Sequence, residues 1–98
     1  MQMERKKDTS EFYKRLKKQL ELNNSWPSLY LYKFIVPTSA EKIEEIESLF
    51  KNTNAIITTR DSSKGTYTSI SIKVTMDSAE AIINIYQEVS NVEGVISL

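Results

Sequence analysis

From Thr66 to Met76 the chain alternates, with Ile70, Ile72, Val74 and Met76 on one side and Ser69, Ser71 and Lys73 on the other. A period of two is the mark of a half-buried β-strand, and it predicts a central strand here. Ala55 to Arg60, just upstream, is rich in β-branched residues. Between the two runs lies Ser62-Ser63-Lys64-Gly65, which predicts a hairpin turn with Gly65 at the position that needs positive φ.

A third strand is predicted from Leu29 to Val36, nearly all apolar and rich in aromatic and β-branched residues, the composition of a strand covered on both faces. Parity assigns Tyr32, Phe34 and Val36 to the helix-covered side, because the other side holds Lys33 beside Leu31 and Ile35. Pro37 should stop the strand. Thr38 with Glu41 forms a capping-box pattern for a helix from Ser39 to about Lys51, whose core stripe is Ile43, Ile46, Leu49 and Phe50. Asp77 with Glu80 repeats the pattern before a stripe of Ala79, Ile82, Ile83, Tyr86 and Val89, with Asn91 at its end. Gly94 to Leu98 reads as a short closing edge strand.

The N-terminal part is different in kind. Met1 to Asp8 is charged and lacks an apolar face, so it is expected to fray. Thr9 or Ser10 then caps a basic helix carrying a narrow stripe of Phe12, Leu16 and Leu20. Asn23-Asn24-Ser25 ends it, and Trp26-Pro27 makes a hinge with an aromatic anchor. An isolated helix of this length is marginal in water. Its stripe therefore needs a surface, either the open sheet face near Leu31 and Ile35 or a second copy of the chain.

From Leu29 onward the order of elements is βαββαβ. With right-handed crossovers this gives an α+β, ferredoxin-like sandwich: a four-stranded antiparallel sheet of order 4-1-3-2 with two helices on one face. Residues 1–25 form an N-terminal extension with the amphipathic helix, and residues 26–98 form the domain.

Composition narrows the chemistry. The 98 residues include no Cys and no His, which removes disulfides, thiolate nucleophiles and the usual general base and metal ligand. No catalytic, cofactor or metal site is expected, and the chain is read as not an enzyme. The Glu41, Glu44, Glu45 and Glu47 cluster is a solvated helix face, since its side chains point in several directions around the helix. No apolar run approaches a membrane span, and the charged N-terminus does not resemble a signal peptide, so a cytoplasmic location is expected. Net charge is zero, yet residues 1–20 carry seven Lys or Arg against three acids. A basic arm for nucleic acid or a membrane surface would account for that asymmetry, and a solvated helix face or an arm docked on the chain's own acidic body explains it as well.

The residues singled out as a contact site are Ser62, Ser63, Lys64, Gly65 and Tyr67. Their hydroxyls, ammonium and free backbone N–H groups are able to hold an anion or a partner. The plain alternative is that the serines satisfy the turn's own backbone while Lys64 is solvated.

Trp26-Pro27, Tyr32-Lys33 and Ser62-Ser63-Lys64-Gly65 with Tyr67, Ser69 and Ile72 together resemble the YbeD-like family of small bacterial proteins of unknown function. The resemblance covers Trp26 to Leu98 and implies a ferredoxin-like fold similar to the ACT regulatory domains that bind amino acids. ACT-type domains hold their ligand at a Gly-containing turn after the first strand, whereas this chain has Pro37-Thr38-Ser39 there. The implied function is a non-catalytic regulatory or interaction module with a protein partner or itself, and a small-molecule ligand fits that class too. The alternative is nucleic-acid binding by the basic helix and the sheet face, weakened by the Ser69, Ser71 and Lys73 face and by the acidic body.

Overall fold

The computed structural model describes residues 2–98, with side chains from Ser10 onward. The elements are α1 (Gln2–Asn23), β1 (Ser28–Pro37), α2 (Ala40–Ser48), β2 (Ile56–Asp61), β3 (Tyr67–Met76), α3 (Ala79–Val89) and β4 (Ile96–Ser97). The four strands form one sheet in the spatial order β2-β3-β1-β4, and each neighbouring pair is antiparallel. This α+β arrangement of a four-stranded antiparallel sheet and three helices fits a ferredoxin-like fold.

The sheet is built on β1 and β3, which pair along their whole length, from Ser28 opposite Met76 to Pro37 opposite Tyr67. Their even-numbered residues enter the core. Tyr32, Phe34 and Val36 meet Ile70 and Ile72 under the helices, and all five side chains are fully buried. α2 adds Ile46 and, just past its end, Phe50. α3 adds Ala79, Ile82, Ile83 and Val89. The aromatic centre is tight: the ring of Tyr32 lies 5.6 Å from Phe34, 5.4 Å from Phe50 and 5.2 Å from Tyr86, centroid to centroid.

Several expectations need correction. The long helix does not begin at Thr9 or Ser10. α1 runs from Gln2, so both residues lie inside it and not at its start; Met1 lies outside the described residues. Gln2 to Lys7 consists of straight-chain residues with good helix propensity, and that outweighs the missing apolar stripe.

The same helix does not cross the open sheet face. It packs on α3, where Lys17 Nζ lies 3.7 Å from Glu80 Oε2. Leu20 enters the core and Leu16 packs against it, but Phe12 stays 58 % exposed. At its end, the Asn24 side-chain amide donates to the Leu20 carbonyl at 3.0 Å and meets one of the helix's last unsatisfied acceptors.

Both helix caps sit one residue later than the capping boxes imply. Ser39 accepts from the Lys42 N–H and Ser78 accepts from the Ala81 N–H. Thr38 is drawn elsewhere: its hydroxyl lies 3.0 Å from that of Thr68, which donates to Asp61 Oδ1 at 2.9 Å. Thr68 has a single proton and gives it to Asp61, so Thr38 is the donor to Thr68. α2 ends at Ser48, short of Lys51, and the chain turns through Asn52 at φ 64°. The last strand is only Ile96–Ser97, and it lies at the edge beside β1.

Candidate functional site

With all three helices on one side, the other side of the sheet has no cover among the described residues. Strand parity sends the odd-numbered residues of β1 and β3 there, with the even-numbered residues of β2 opposite them. Leu29, Leu31, Lys33 and Ile35 come from β1. Ile56, Thr58 and Arg60 come from β2, and Tyr67, Ser69, Ser71 and Lys73 from β3. Ile96 joins opposite Ile35 at the β4 edge. Leu31 is 61 % exposed, and Leu29, Ile56 and Ile96 are exposed as well. Aliphatic side chains are thus spread across a face that also carries Lys33, Arg60 and Lys73, while no Asp or Glu occupies any of these register positions.

The sequence-predicted contact residues sit at one end of this face, and the turn explains its own geometry. The Ser62 N–H donates to the Tyr67 carbonyl at 2.8 Å, and the Gly65 N–H donates to the Ser62 carbonyl at 2.9 Å. The Ser62 hydroxyl accepts the Tyr67 N–H at 3.1 Å. Ser62 and the amides of Gly65 and Tyr67 are therefore spent inside the hairpin. Gly65 has φ 71°, the left-handed region.

Ser62, Ser63 and Tyr67 come together with Ile35, Arg60, Asp61 and Ser69 around an open depression of about 400 Å³. Lys64 and Gly65 are not among its lining residues. Tyr67 is 46 % exposed, whereas Tyr30, Tyr32 and Phe34, which would have to stack bases if the sheet bound nucleic acid, point to the helices. Beside the Asp61 carboxylate, the guanidinium of Arg60 is a charged group that the sequence argument did not place at this site. Its signal lay in strand parity, because Arg60 stands opposite Ser69.

On the helix side, the Tyr30 and Tyr86 hydroxyls lie 2.7 Å apart. Burial and this hydrogen bond push the Tyr86 phenol far above its ordinary range, and burial does the same to Tyr32. These phenols stay protonated and neutral, suited to packing and not to proton transfer near neutral pH. Among the described residues, no group of three or more metal-ligating side chains comes together. No described helix is long and apolar enough to cross a membrane.

Comparison with known proteins gives one consistent family. A UPF0250 protein of Shewanella sediminis is 34 % identical over 73 residues, covering 71 % of this chain and 83 % of the relative. The solution structure of protein HP0495 from H. pylori superposes with a TM-score of 0.63, covering 78 % of this chain and 86 % of that one. At 16 % identity, that match speaks for the fold alone. The family model described as a protein of unknown function, DUF493, matches residues 21–98. The chain therefore belongs to the DUF493 family, the YbeD-like small bacterial proteins that its hairpin and first strand resemble.

Proposed function

We propose that the chain is a non-catalytic interaction module that docks a partner protein on its open sheet face. The observation that carries this is a bare β-surface on which Leu31, Ile35, Ile56 and Ile96 lie among three cations with no carboxylate at their register positions. Several exposed aliphatic side chains on one uncovered sheet face suit a place of contact. A second copy placed on it by a two-fold axis would set one face carrying Lys33, Arg60 and Lys73 against another face of the same charge, and like charges across an interface are costly. A partner with acidic and apolar groups suits it better.

Aliphatic side chains favour a protein over a nucleic acid, since stacking of bases needs aromatic platforms and this face offers Tyr67 alone. A small ligand at the turn after β1, as in ACT domains, has less support. A Cβ on Gly94 would lie 2.9 Å from Pro37 Cγ, so protein already fills that approach. The absence of Cys and His and the protonated buried phenols support a binding role over catalysis.

A photo-crosslinking side chain placed at Thr58 on the open face, or at Glu45 on the outer side of α2, tests this in native cells. A discrete protein adduct from position 58, lost when Lys33→Glu and Lys73→Glu are added, is the expected result. Adducts from position 45 alone, or an adduct at 58 that nuclease removes, would contradict it.

A further inference from the structure

We propose that β1 from Ser28 to Tyr32 is a docking slot for an extended segment of another protein, which joins the sheet as a strand in line with β4 and seats one apolar side chain beneath α1. The slot arises from a mismatch in strand length. On one side β3 pairs with β1 from Ser28 to Pro37, whereas on the other β4 reaches only Phe34 and Ile35. The Leu98 N–H extends this lane by one bond to the Lys33 carbonyl, at 2.9 Å. In an antiparallel strand the N–H and C=O of alternate residues address the same neighbour. Leu31 and Leu29 share the parity of Lys33, so their backbone groups face the lane, where no described strand lies beside them. An unpaired strand edge of this kind is a template for β-addition.

The side-chain positions of the added strand follow from the same parity. A residue opposite Tyr30 points to the helix side. There Phe12, Tyr13, Leu16, Tyr30 and Tyr86 line a groove of about 290 Å³, with Ser97 at its β4 end and no charged side chain in its lining. Pockets for whole drug-sized ligands begin at roughly this volume, so the space suits an apolar side chain or two entering from a strand. The residues opposite Leu29 and Leu31 fall on the open face beside those exposed leucines. A second copy offering its own long β1 would run into β4 and Leu98, which already occupy the lane from Lys33 onward. A short extended segment does not. The slot borders the open face at Leu31 and is told apart from docking there by its parts, because it is built from backbone groups and a neutral groove where that face relies on cations.

The test uses the full chain and a phage-displayed library of random linear peptides. The strongest binder is synthesised, its affinity measured by calorimetry, and amide hydrogen exchange followed by NMR. Bound peptide is expected to protect the amides of Leu29 and Leu31. Leu31→Pro removes an N–H that faces the lane, a position where a strand tolerates proline, and Ser97→Trp fills the groove. Each is expected to weaken the peptide by about tenfold or more. If Leu31→Pro does not fold, Ser97→Trp decides alone. Lys73→Glu, which tests the open face, is expected to leave this affinity unchanged. The proposal is overturned if no peptide is enriched, if neither amide is protected, or if Ser97→Trp binds as wild type. An equal loss with Lys73→Glu, or concentration-dependent protection of both amides without peptide, overturns it too, by placing the peptide on the face or a second copy in the lane.

Discussion

The hydroxyls of Tyr30 and Tyr86 meet at 2.7 Å, tying the start of β1 to α3 across 56 residues of sequence. Tyr86 also packs edge-on to Tyr30, Tyr32 and Phe34. Removing one hydroxyl leaves the other half-buried without its partner, at a cost of about 1 kcal/mol. Tyr30→Phe and Tyr86→Phe are therefore each expected to lower stability by about that amount. The double variant should lose less than the sum, since no orphaned hydroxyl remains. Urea unfolding of the three variants checks this.

Tyr32 behaves in the opposite way. Its hydroxyl is buried with no protein partner among the described residues, and an unpaired buried hydroxyl costs about 1 to 3 kcal/mol. Tyr32→Phe should melt at or above the wild-type temperature, and a clear drop would show that the hydroxyl is satisfied. The phenols also set an alkaline limit. Tyr32 and Tyr86 are raised in the folded state by burial, so above the ordinary phenol value of about 10 the unfolded chain releases protons that the folded chain keeps. Stability is unaffected below that pH and falls as pH rises beyond it. The fall should be shallower in Tyr32→Phe, as measured by urea midpoints on either side of pH 10.

The two glycines should not be equally sensitive. Gly65 has φ 71° and open space where a Cβ would stand, so Gly65→Ala pays only for the left-handed backbone, about 1 kcal/mol. Gly94 has φ 81° and a Cβ there would meet Pro37 Cγ at 2.9 Å and Cδ at 3.0 Å. Gly94→Ala bears the same backbone cost and must also displace the proline ring where β1 ends. It is expected to be the more destabilising of the two by thermal melt.

Within α1, Leu20 is 9 % exposed and belongs to the core, whereas Phe12 is 58 % exposed. Leu20→Ala is expected to cost about 2 to 3 kcal/mol, and Phe12→Ala less than about 1 kcal/mol. Comparable losses for both would mean that the whole stripe is buried.

The strands were legible because a period of two leaves little choice. Once Lys33 is set outward, Tyr32, Phe34 and Val36 must face the helices, and Ile70 and Ile72 must meet them. The caps were misplaced by one residue because Thr38-Ser39 and Asp77-Ser78 each offer two capping side chains in a row. A tertiary hydrogen bond, from Thr38 to Thr68, decides the first case. The placement of α1 was not legible: a narrow stripe of Phe12, Leu16 and Leu20 matches any apolar surface, and nothing local points to α3. The contact of Gly94 with Pro37 joins positions far apart in sequence and leaves no local trace. Of the contact site, the hairpin was legible but its neighbours Ile35 and Arg60 came only with the sheet register.

The bare sheet face depends on where α1 lies, and a single spin label can locate the helix. The chain has no Cys, so Lys14→Cys gives one attachment point. Lys14 borders a depression shared with Glu80, Asn84 and Gln87 of α3. Paramagnetic broadening in the labelled, methyl- and amide-detected protein is expected to erase the signals of Asn84 and Gln87 and to spare the methyls of Leu31 and Ile56. Broadening of Leu31 and Ile56 with Asn84 and Gln87 spared would put α1 across the open face and leave no surface there for a partner.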